Sequence, residues 1–393
     1  MDVHRSAGIA VATLLMAACG SGTGTVTKST PAAATALAPQ SAVGFPTATP
    51  GPMTPPPLAI SCASPIPAGA QLALVNLSGI KGFVLRDVTD VQHPVTRCSY
   101  GDHGWIGLQF VAPTRISYIS ETNGPPGFFE ALYVVDLARN KTSLVHWWGP
   151  TDSGAVQYAW SPDGQLVTYL ARTSTSVTWH LLSGASDKTL ARLGDVPTRD
   201  WSSADDQEMV GFSADGQYVA VDGTFVAPRT TPIRIVHVAD GQPVYGGDGT
   251  MAVWGASGAR IYFRTSTGIQ RWDPTGNVVT VLASTRWIHP STSSDGNYIA
   301  FSTLNPQLND VVSILDTRRG SIAHTSSEPR ARPSFLTPTV VWSEGELSCA
   351  GATVCDPPTQ NGKPYLYDIT TGIESPSIEY SFFDSWPHLA GQT

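Results

Sequence analysis

The sequence predicts an all-β fold, a β-propeller, on three observations: a recurring turn motif, strands of alternating polarity, and a regular spacing. The turn has the form Trp/Phe-Ser-x-Asp-Gly after Trp160 and Phe212, and the form Ser-Ser-Asp-Gly from Ser293. Asp-Gly turns joined to alternating apolar strands are a strong hairpin signal. The copies recur at intervals of roughly 40 to 50 residues, which is the length of one four-stranded propeller blade.

Weaker copies of the turn extend the repeat. Related turns follow Phe110 and Trp254, and a further copy is assigned to Trp342-Ser343-Glu344-Gly345. After each copy a strand, a polar turn and another strand follow, as in residues 233–237 and 242–245. These segments alternate with period two and are rich in β-branched and aromatic residues, which argues against a helical array of similar period. The sequence therefore predicts six complete blades.

The two ends of the chain together predict a seventh blade. Residues 71–75, 82–87 and 95–98 match the outer three strands of a blade, and residues 380–387 supply an inner strand. Closing the ring with strands from both ends removes exposed edges that would template aggregation. We predict seven four-stranded blades, closed by a C-terminal strand that joins the N-terminal blade. Six and eight blades are the alternatives.

The first 58 residues are predicted to lie outside the folded body. Residues 1–18 match a signal peptide, with Arg5 in a polar start and an uncharged run at residues 7–18. That run is too short to span a bilayer, which takes about 20 residues. Residues 19–58 are rich in Pro, Thr and Ala and predict a disordered tether. The propeller domain is assigned to residues 59–393.

The end of the signal peptide resembles a bacterial lipobox, in the run Leu15-Met16-Ala17-Ala18-Cys19. The resemblance implies that Cys19 is lipidated and becomes the new N-terminus. It also implies an extracytoplasmic protein held at the bacterial cell membrane or envelope by lipid alone. A plain secretory signal with an incidental cysteine is the alternative.

Composition excludes one class of partner. The chain has 31 Asp+Glu and 23 Lys+Arg, for a formal net charge of −8. Affinity for nucleic acid rests largely on Lys and Arg that neutralise phosphates, so no nucleic-acid partner is expected.

The cysteines other than Cys19 are even in number, as expected for disulfides in an exported chain. Cys349 and Cys355 are close enough in sequence to close a small loop. Cys62 and Cys98 would then pair and fasten the start of the domain to the first blade. A zinc site formed by these four residues is the rival interpretation.

No motif predicts catalysis. The sequence contains no Gly-x-Ser-x-Gly elbow, no His-x-His or Cys-x-x-Cys pair, and no phosphate-binding glycine loop. We therefore predict no catalytic residue, no metal and no cofactor. The Asp residues of the repeated turns are interpreted as turn formers.

The Trp-Ser-Pro-Asp-Gly turn that begins at Trp160 resembles the repeats of TolB-type, WD-repeat-like propellers of the bacterial envelope. The resemblance covers most of residues 70–390 and implies architecture only, because the second domain found beside the propeller in TolB has no counterpart here. We expect a monomeric, non-catalytic binding or scaffolding module for an envelope protein or glycan. The alternatives are an enzyme that uses the central channel, glycan-active or lactone-hydrolysing, and a structural spacer without a ligand.

The expected binding surface is the face that carries the long loops. These are the links between blades and the loops between second and third strands, at residues 121–129, 223–232, 304–310 and 349–363. Long loops on a rigid scaffold are where binding function tends to reside. Aromatic and polar candidates near the channel mouth are His103, Trp105, Asp200, Trp201, Arg286 and Trp287.

Overall fold

The computed structural model describes residues 54–63, 65–77, 83–101, 105–112, 114–124, 127–151, 157–172, 176–195, 209–222, 233–284, 286–306, 310–345, 364–377 and 379–386. In these ranges every regular element is a β-strand. The same residues include no helix of the length and apolarity that a membrane crossing requires.

The strands form seven antiparallel sheets, which are the blades of a propeller. Blade 1 contains β1 (Ile60–Cys62), β2 (Leu72–Leu77), β3 (Phe83–Asp87) and β4 (Val95–Tyr100). Blade 2 contains β5 (Trp105–Ala112), β6 (Arg115–Gly124), β7 (Gly127–Asp136) and β8 (Lys141–Thr151). Blade 3 contains β9 (Tyr158–Trp160), β10 (Leu166–Arg172), β11 (Ser176–Ser183) and β12 (Ser186–Asp195).

The second half of the chain repeats the scheme. Blade 4 contains β13 (Met209–Phe212), β14 (Tyr218–Asp222), β15 (Ile233–His237) and β16 (Pro243–Gly247). Blade 5 contains β17 (Thr250–Trp254), β18 (Ile261–Thr265), β19 (Gly268–Trp272) and β20 (Val278–Leu282). Blade 6 contains β21 (Ile288–Thr292), β22 (Tyr298–Leu304), β23 (Asp310–Asp316) and β24 (Ser321–Thr325). Blade 7 contains β25 (Arg330–Phe335), β26 (Val340–Gly345), β27 (Tyr365–Asp368) and β28 (Ile373–Pro376).

The ring closes as the sequence predicts. The last strand, β29 (Glu379–Trp386), pairs antiparallel with β2 and becomes the inner strand of blade 1. The inner strand of each other blade is its first strand. Inner strands of neighbouring blades contact each other at the joints of blades 1 and 2 and of blades 3 to 7. The prediction of seven blades closed by strands from both ends is confirmed.

The repeated turn is built by its own side chains. In blade 4, Ser213 Oγ donates to Asp215 Oδ1 (2.6 Å) and accepts the N–H of Tyr218 (3.0 Å). Gly216 completes the turn with a φ of 70°, which a residue with a Cβ adopts at a cost. The same serine and aspartate contacts occur at Ser161 and Ser293. Asp215 and its counterparts therefore serve the turn itself.

Large aromatic side chains lock neighbouring blades together. Trp254 at the end of β17 is fully buried and donates its indole N–H to the carbonyl of Gly211 in blade 4 (3.0 Å). Trp160 at the end of β9 donates in the same way to Ser117 Oγ in blade 2 (2.8 Å). These contacts satisfy the polar edge of a buried indole, which would otherwise carry a desolvation cost.

One copy of the repeat is assigned wrongly by the sequence. The equivalent of Trp254 in blade 7 is Phe335 at the end of β25, and Trp342 lies in the next strand, opposite Ser334. The turn after Phe335 lacks an Asp-Gly pair, while Trp342-Ser343-Glu344-Gly345 imitates the motif from within β26. The sequence therefore places this copy of the turn within β26, whereas the true turn follows β25.

Blade 1 has a fifth strand that the repeat does not predict. Strand β1 pairs with β4 on the outer edge of the blade, with Cys62 opposite Cys98. The two cysteines form a disulfide, as the sequence predicts. Cys349 and Cys355 lie outside the described residues, so their pairing stays a prediction. The lipidation candidate Cys19 also lies outside them.

The folded body begins before residue 59. Tyr133 Oη donates to the carbonyl of Pro55 (2.6 Å), and the N–H of Leu58 donates to Tyr118 Oη (2.8 Å). Leu58 is buried against blades 1 and 2. The proline-rich composition predicts an extended chain, but an extended proline segment can also pack into a groove lined by aromatic residues. Residues 54–58 therefore belong to the packed domain, and the predicted boundary at residue 59 is too late.

Candidate functional site

The blades present two different faces, named here by their connections. The turn face carries the repeated turns and the turns between third and fourth strands. The loop face carries the links between blades and the connections between second and third strands, such as residues 305–309 between β22 and β23. Because the inner strands border the channel, their first residues lie at its mouth on the loop face.

Four inner strands carry the same irregularity near the loop face. A break in the antiparallel register, which is a β-bulge, occurs in β5, β17, β21 and β25. Each bulge contains a residue with positive φ three positions before the residue that precedes the turn into the second strand, which is Phe110, Trp254, Thr292 or Phe335. These residues are Gly107, Met251, His289 and Arg332, with φ between 49° and 60°. Four blades therefore share one backbone feature at one height along the channel.

The residue types at three of these positions are unexpected. Glycine adopts the left-handed region without a Cβ penalty, and Gly107 does so in blade 2. Met251, His289 and Arg332 each hold it at a cost of order 1 kcal/mol or more. Strained residues of this kind concentrate at binding and catalytic sites, where the surrounding structure enforces them. The bulge residues are therefore the first candidates for a functional site in this fold.

Neighbouring blades hold the bulges in place. The N–H of Arg332 donates to Ser302 Oγ in blade 6 (3.0 Å), and the N–H of Ala252 donates to Asp222 Oδ2 in blade 4 (2.7 Å). The indole N–H of Trp287 donates to the carbonyl of Met251 (2.8 Å). Each contact crosses a blade joint, so the shape of the channel mouth depends on how the blades pack.

Charged side chains flank the bulges of blades 6 and 7. Arg332 is 44% exposed and lies 3.6 Å from Glu344 Oε2 on β26. Burial raises the pKa of Glu344, and the Arg332 guanidinium opposes that shift. Arg286, in the link before β21, is 41% exposed and lies 3.2 Å from Asp310 Oδ1. Both guanidinium groups keep exposed N–H donors beside their carboxylate partners, and these can bind carboxylate, phosphate or hydroxyl oxygens.

The structure confirms the expected exposure for only some of the predicted site residues. Arg286 lies on the loop face and is partly exposed, as a binding residue must be. Trp287 is fully buried between Met251 and Phe301, so it packs blade against blade and offers no surface to a partner. Trp105 is the first residue of β5 and not part of a link. His103, Asp200 and Trp201 lie outside the described residues and stay predictions.

Two of the predicted long loops differ from expectation. Residues 121–124 and 127–129 continue β6 and β7 as paired strands, so this segment is an extended hairpin. Leu304 pairs with Asp310, which shortens the connection in blade 6 to residues 305–309. Cross-strand pairing continues through Asn123 and Gly124 although these residue types are depleted in strands, so the sequence suggested a loop there. Residues 223–232 and 349–363 lie outside the described residues.

Sequence reasoning missed Met251, His289 and Arg332. A bulge inserts one extra residue and breaks the alternation on which strand prediction depends. The available signal was positional, because all three residues stand at the place of Gly107 in the aligned repeat. Among the described residues, no group of three or more His, Cys, Asp and Glu side chains is arranged to hold a metal ion.

Comparison with known proteins extends the description of the fold. No protein-family model matches the sequence, and no curated protein sequence matches it. TolB from Acinetobacter baumannii is similar in structure, with 16% identity, a TM-score of 0.45, and coverage of 81% of this chain and 66% of that one. A prolyl endopeptidase structure gives 12% identity and a TM-score of 0.50, and the match covers 81% of this chain and 49% of that one.

A third similar structure is an oligogalacturonate lyase in complex with manganese. It gives 11% identity and a TM-score of 0.45, and the match covers 78% of this chain and 85% of that one. At such identities the likeness concerns the fold. The sheet topology itself makes the chain a seven-bladed β-propeller.

Proposed function

We propose that this chain is a lipid-anchored, extracytoplasmic propeller whose loop face binds a protein or glycan partner without catalysis, and that it acts as a monomer. The observation that carries the proposal is the set of strained bulge residues at the channel mouth. Three blades keep Met251, His289 and Arg332 in a conformation that glycine would adopt more easily. Arg332 is exposed and His289 is half-buried, so both can contact a partner, whereas Met251 is buried in the joint between blades 5 and 6.

The second support is that two neighbouring blades carry polar side chains, Arg332 and His289, at equivalent positions. Arginine is enriched at binding hot spots, and His289 adds a half-buried imidazole in the equivalent position of blade 6. Fixed donors on a rigid ring lose little conformational entropy when a ligand binds. The loop face thus offers preorganised polar contacts across neighbouring blades.

A channel enzyme, glycan-active or lactone-hydrolysing, is the second candidate. Two carboxyl groups favour it: burial raises the pKa of Asp222 to about 7, and burial also raises the pKa of Glu344. Carboxyl groups with raised pKa values can act as general acids near neutral pH. Turnover of a glycan or lactone that Glu344→Gln abolishes, with binding retained, would replace the binding proposal by this one.

The anchoring part of the proposal rests on the lipobox-like segment at Cys19. Replacing Cys19 by Ala in the host cell should move the protein from the detergent phase to the aqueous phase, because a lipoprotein depends on its acyl chains for stable attachment. Mass spectrometry of the wild type should find a lipidated N-terminal Cys19. An intact Met1 start in the mature protein would contradict the anchor.

The binding face is tested with two matched pairs of arginines. Arg332→Gly with Arg286→Ala removes both loop-face guanidinium groups, and the glycine reproduces the residue that blade 2 has at the bulge. We expect the amount of partner recovered by cross-linking and pull-down from the native envelope to fall about tenfold or more, as for hot-spot arginines. Thermal unfolding should show that the fold is retained.

The control pair is Arg139→Ala with Arg319→Ala, both on turns between third and fourth strands, where the side chains are 65% and 78% exposed. This pair changes the net charge by the same amount on the opposite face. Recovery should stay at the wild-type level. Loss of the partner with the control pair, and not with the loop-face pair, would show that the turn face binds.

A further inference from the structure

A buried acid stands at one of the blade joints described above. Asp222 is the last residue of β14 and is 0% exposed. Its Oδ2 accepts the N–H of Ala252 (2.7 Å), and its Oδ1 has no hydrogen-bond partner among the described residues. An ionised carboxylate with an oxygen left unpaired is costly at such a place, since burial removes its hydration.

The same place in blade 6 is occupied by a neutral side chain. Asp222 is opposite Met209 at the loop-face end of β13, and Ser302 is opposite Ile288 at that end of β21. Ser302 Oγ holds the bulge at Arg332 through one N–H (3.0 Å), as Asp222 holds the bulge at Met251. A hydroxyl group is therefore sufficient to hold a bulge, and the carboxyl group of Asp222 adds a capacity to titrate.

Among the residues that the structure describes, few charged groups act on Asp222. Burial raises the pKa of Asp222 to about 7, whereas the N–H of Ala252, the Arg264 guanidinium and the N–H of Met251 lower it. Arg264, on β18, also donates to Thr250 Oγ1 (3.2 Å) at the start of β17. Strands β13 and β17 contribute no charged side chain, and on β15 Arg234 is opposite the neighbouring Val221.

We propose that the contact between Asp222 and Ala252 is a pH-sensitive latch at the channel mouth. The neutral carboxyl group holds the bulge of blade 5 as Ser302 holds that of blade 7. Ionisation strengthens the hydrogen bond from the N–H of Ala252. It also leaves an under-solvated charge in the joint and draws Arg264 away from Thr250, and this larger cost destabilises the joint around Met251. Any effect of the latch on partner binding rests on the proposed function. The latch itself does not.

The direction of the pH effect follows from linkage. The pKa of Asp222 is raised above its ordinary value of 3.8 to about 7 in the folded state, so the folded protein binds this proton more tightly than the unfolded chain. The resulting stability is fully present below about pH 4 and is lost as the pH rises through about 7. The latch is therefore closed in mildly acidic conditions and weakened above neutrality.

Methionine methyl groups offer a direct readout. The chain has five methionines, and two of them are neighbours of Asp222: Met209 is its cross-strand partner and Met251 lies in the bulge. We would label the methionine methyls of the full chain with ¹³C, assign both signals by Met→Leu variants, and record spectra from pH 5 to pH 9. The wild-type Met251 signal should shift with a midpoint near 7.

Variants assign that titration to Asp222. The shift should vanish in Asp222→Asn and in Asp222→Ser, which copies blade 6 and guards against a folding defect in the first variant. In Arg264→Gln the midpoint should rise, because a cation that lowers the pKa is removed. A Met251 signal that is flat in the wild type, or that titrates unchanged in the Asp222 variants, would overturn the latch. No partner is needed, so failure of the binding proposal leaves this result unaffected.

Discussion

Deletion of residues 379–393 is expected to make the propeller domain aggregate. This deletion removes β29, which pairs with β2 from Leu72 opposite Trp386 to Leu77 opposite Glu379. Residues 72–75 of β2 are fully buried, so the deletion would expose an apolar strand together with its unpaired backbone groups. An exposed apolar strand edge templates association between chains. Size-exclusion chromatography with light scattering should show soluble oligomers or loss of soluble protein.

The matched control is a shorter deletion. Removing residues 387–393 leaves β29 complete and should leave a monomer with wild-type thermal stability. The comparison isolates the inner strand from any general effect of shortening the chain. A monomeric, cooperatively folding protein after the longer deletion would show that blade 1 does not need β29.

Loss of the Cys62–Cys98 disulfide is the second large expected effect. The bond joins residues that are 36 apart in sequence and fastens β1 to β4. The chain-entropy estimate for a loop of this size is about 3 to 4 kcal/mol of the free energy of unfolding. The double variant Cys62→Ser with Cys98→Ser should lower the urea midpoint accordingly, without a free thiol that could exchange.

Peptide mapping under non-reducing conditions provides the check on this pair. It should recover Cys62 linked to Cys98 from the wild type. Cys62 recovered with Cys349 or Cys355 would contradict the pairing. A double variant as stable as the oxidised wild type would show that the bond does not support the fold.

The sequence predicts the architecture because the repeated turn is a local device. Serine, aspartate and glycine of the motif contact one another within a few residues, as at Ser213, so their pattern is visible without the rest of the fold. The closing strand β29 was predictable because blade 1 lacked an inner strand. The same local reasoning failed at Phe335, where the turn uses Thr337 in place of the motif and Val340 donates to its hydroxyl.

The candidate site was much less predictable, for physical reasons. A bulge depends on the neighbouring blade, as when Ser302 accepts the N–H of Arg332, and such a contact between distant residues leaves no local pattern. Trp287 illustrates the converse, because the sequence of a link gives no information on whether its indole is exposed or buried. Arg286 was found because a charged residue in a link is usually exposed.

The central claim, that the loop face binds the partner, is tested most directly by site-specific photo-cross-linking in the native envelope. A benzophenone amino acid would replace Arg286 or Arg332 on the loop face, and Arg139 or Arg319 on the turn face, in four otherwise identical proteins. We expect one discrete cross-linked species from positions 286 and 332, and none from positions 139 and 319. Cross-links from the turn-face positions, with none from the loop face, would contradict it.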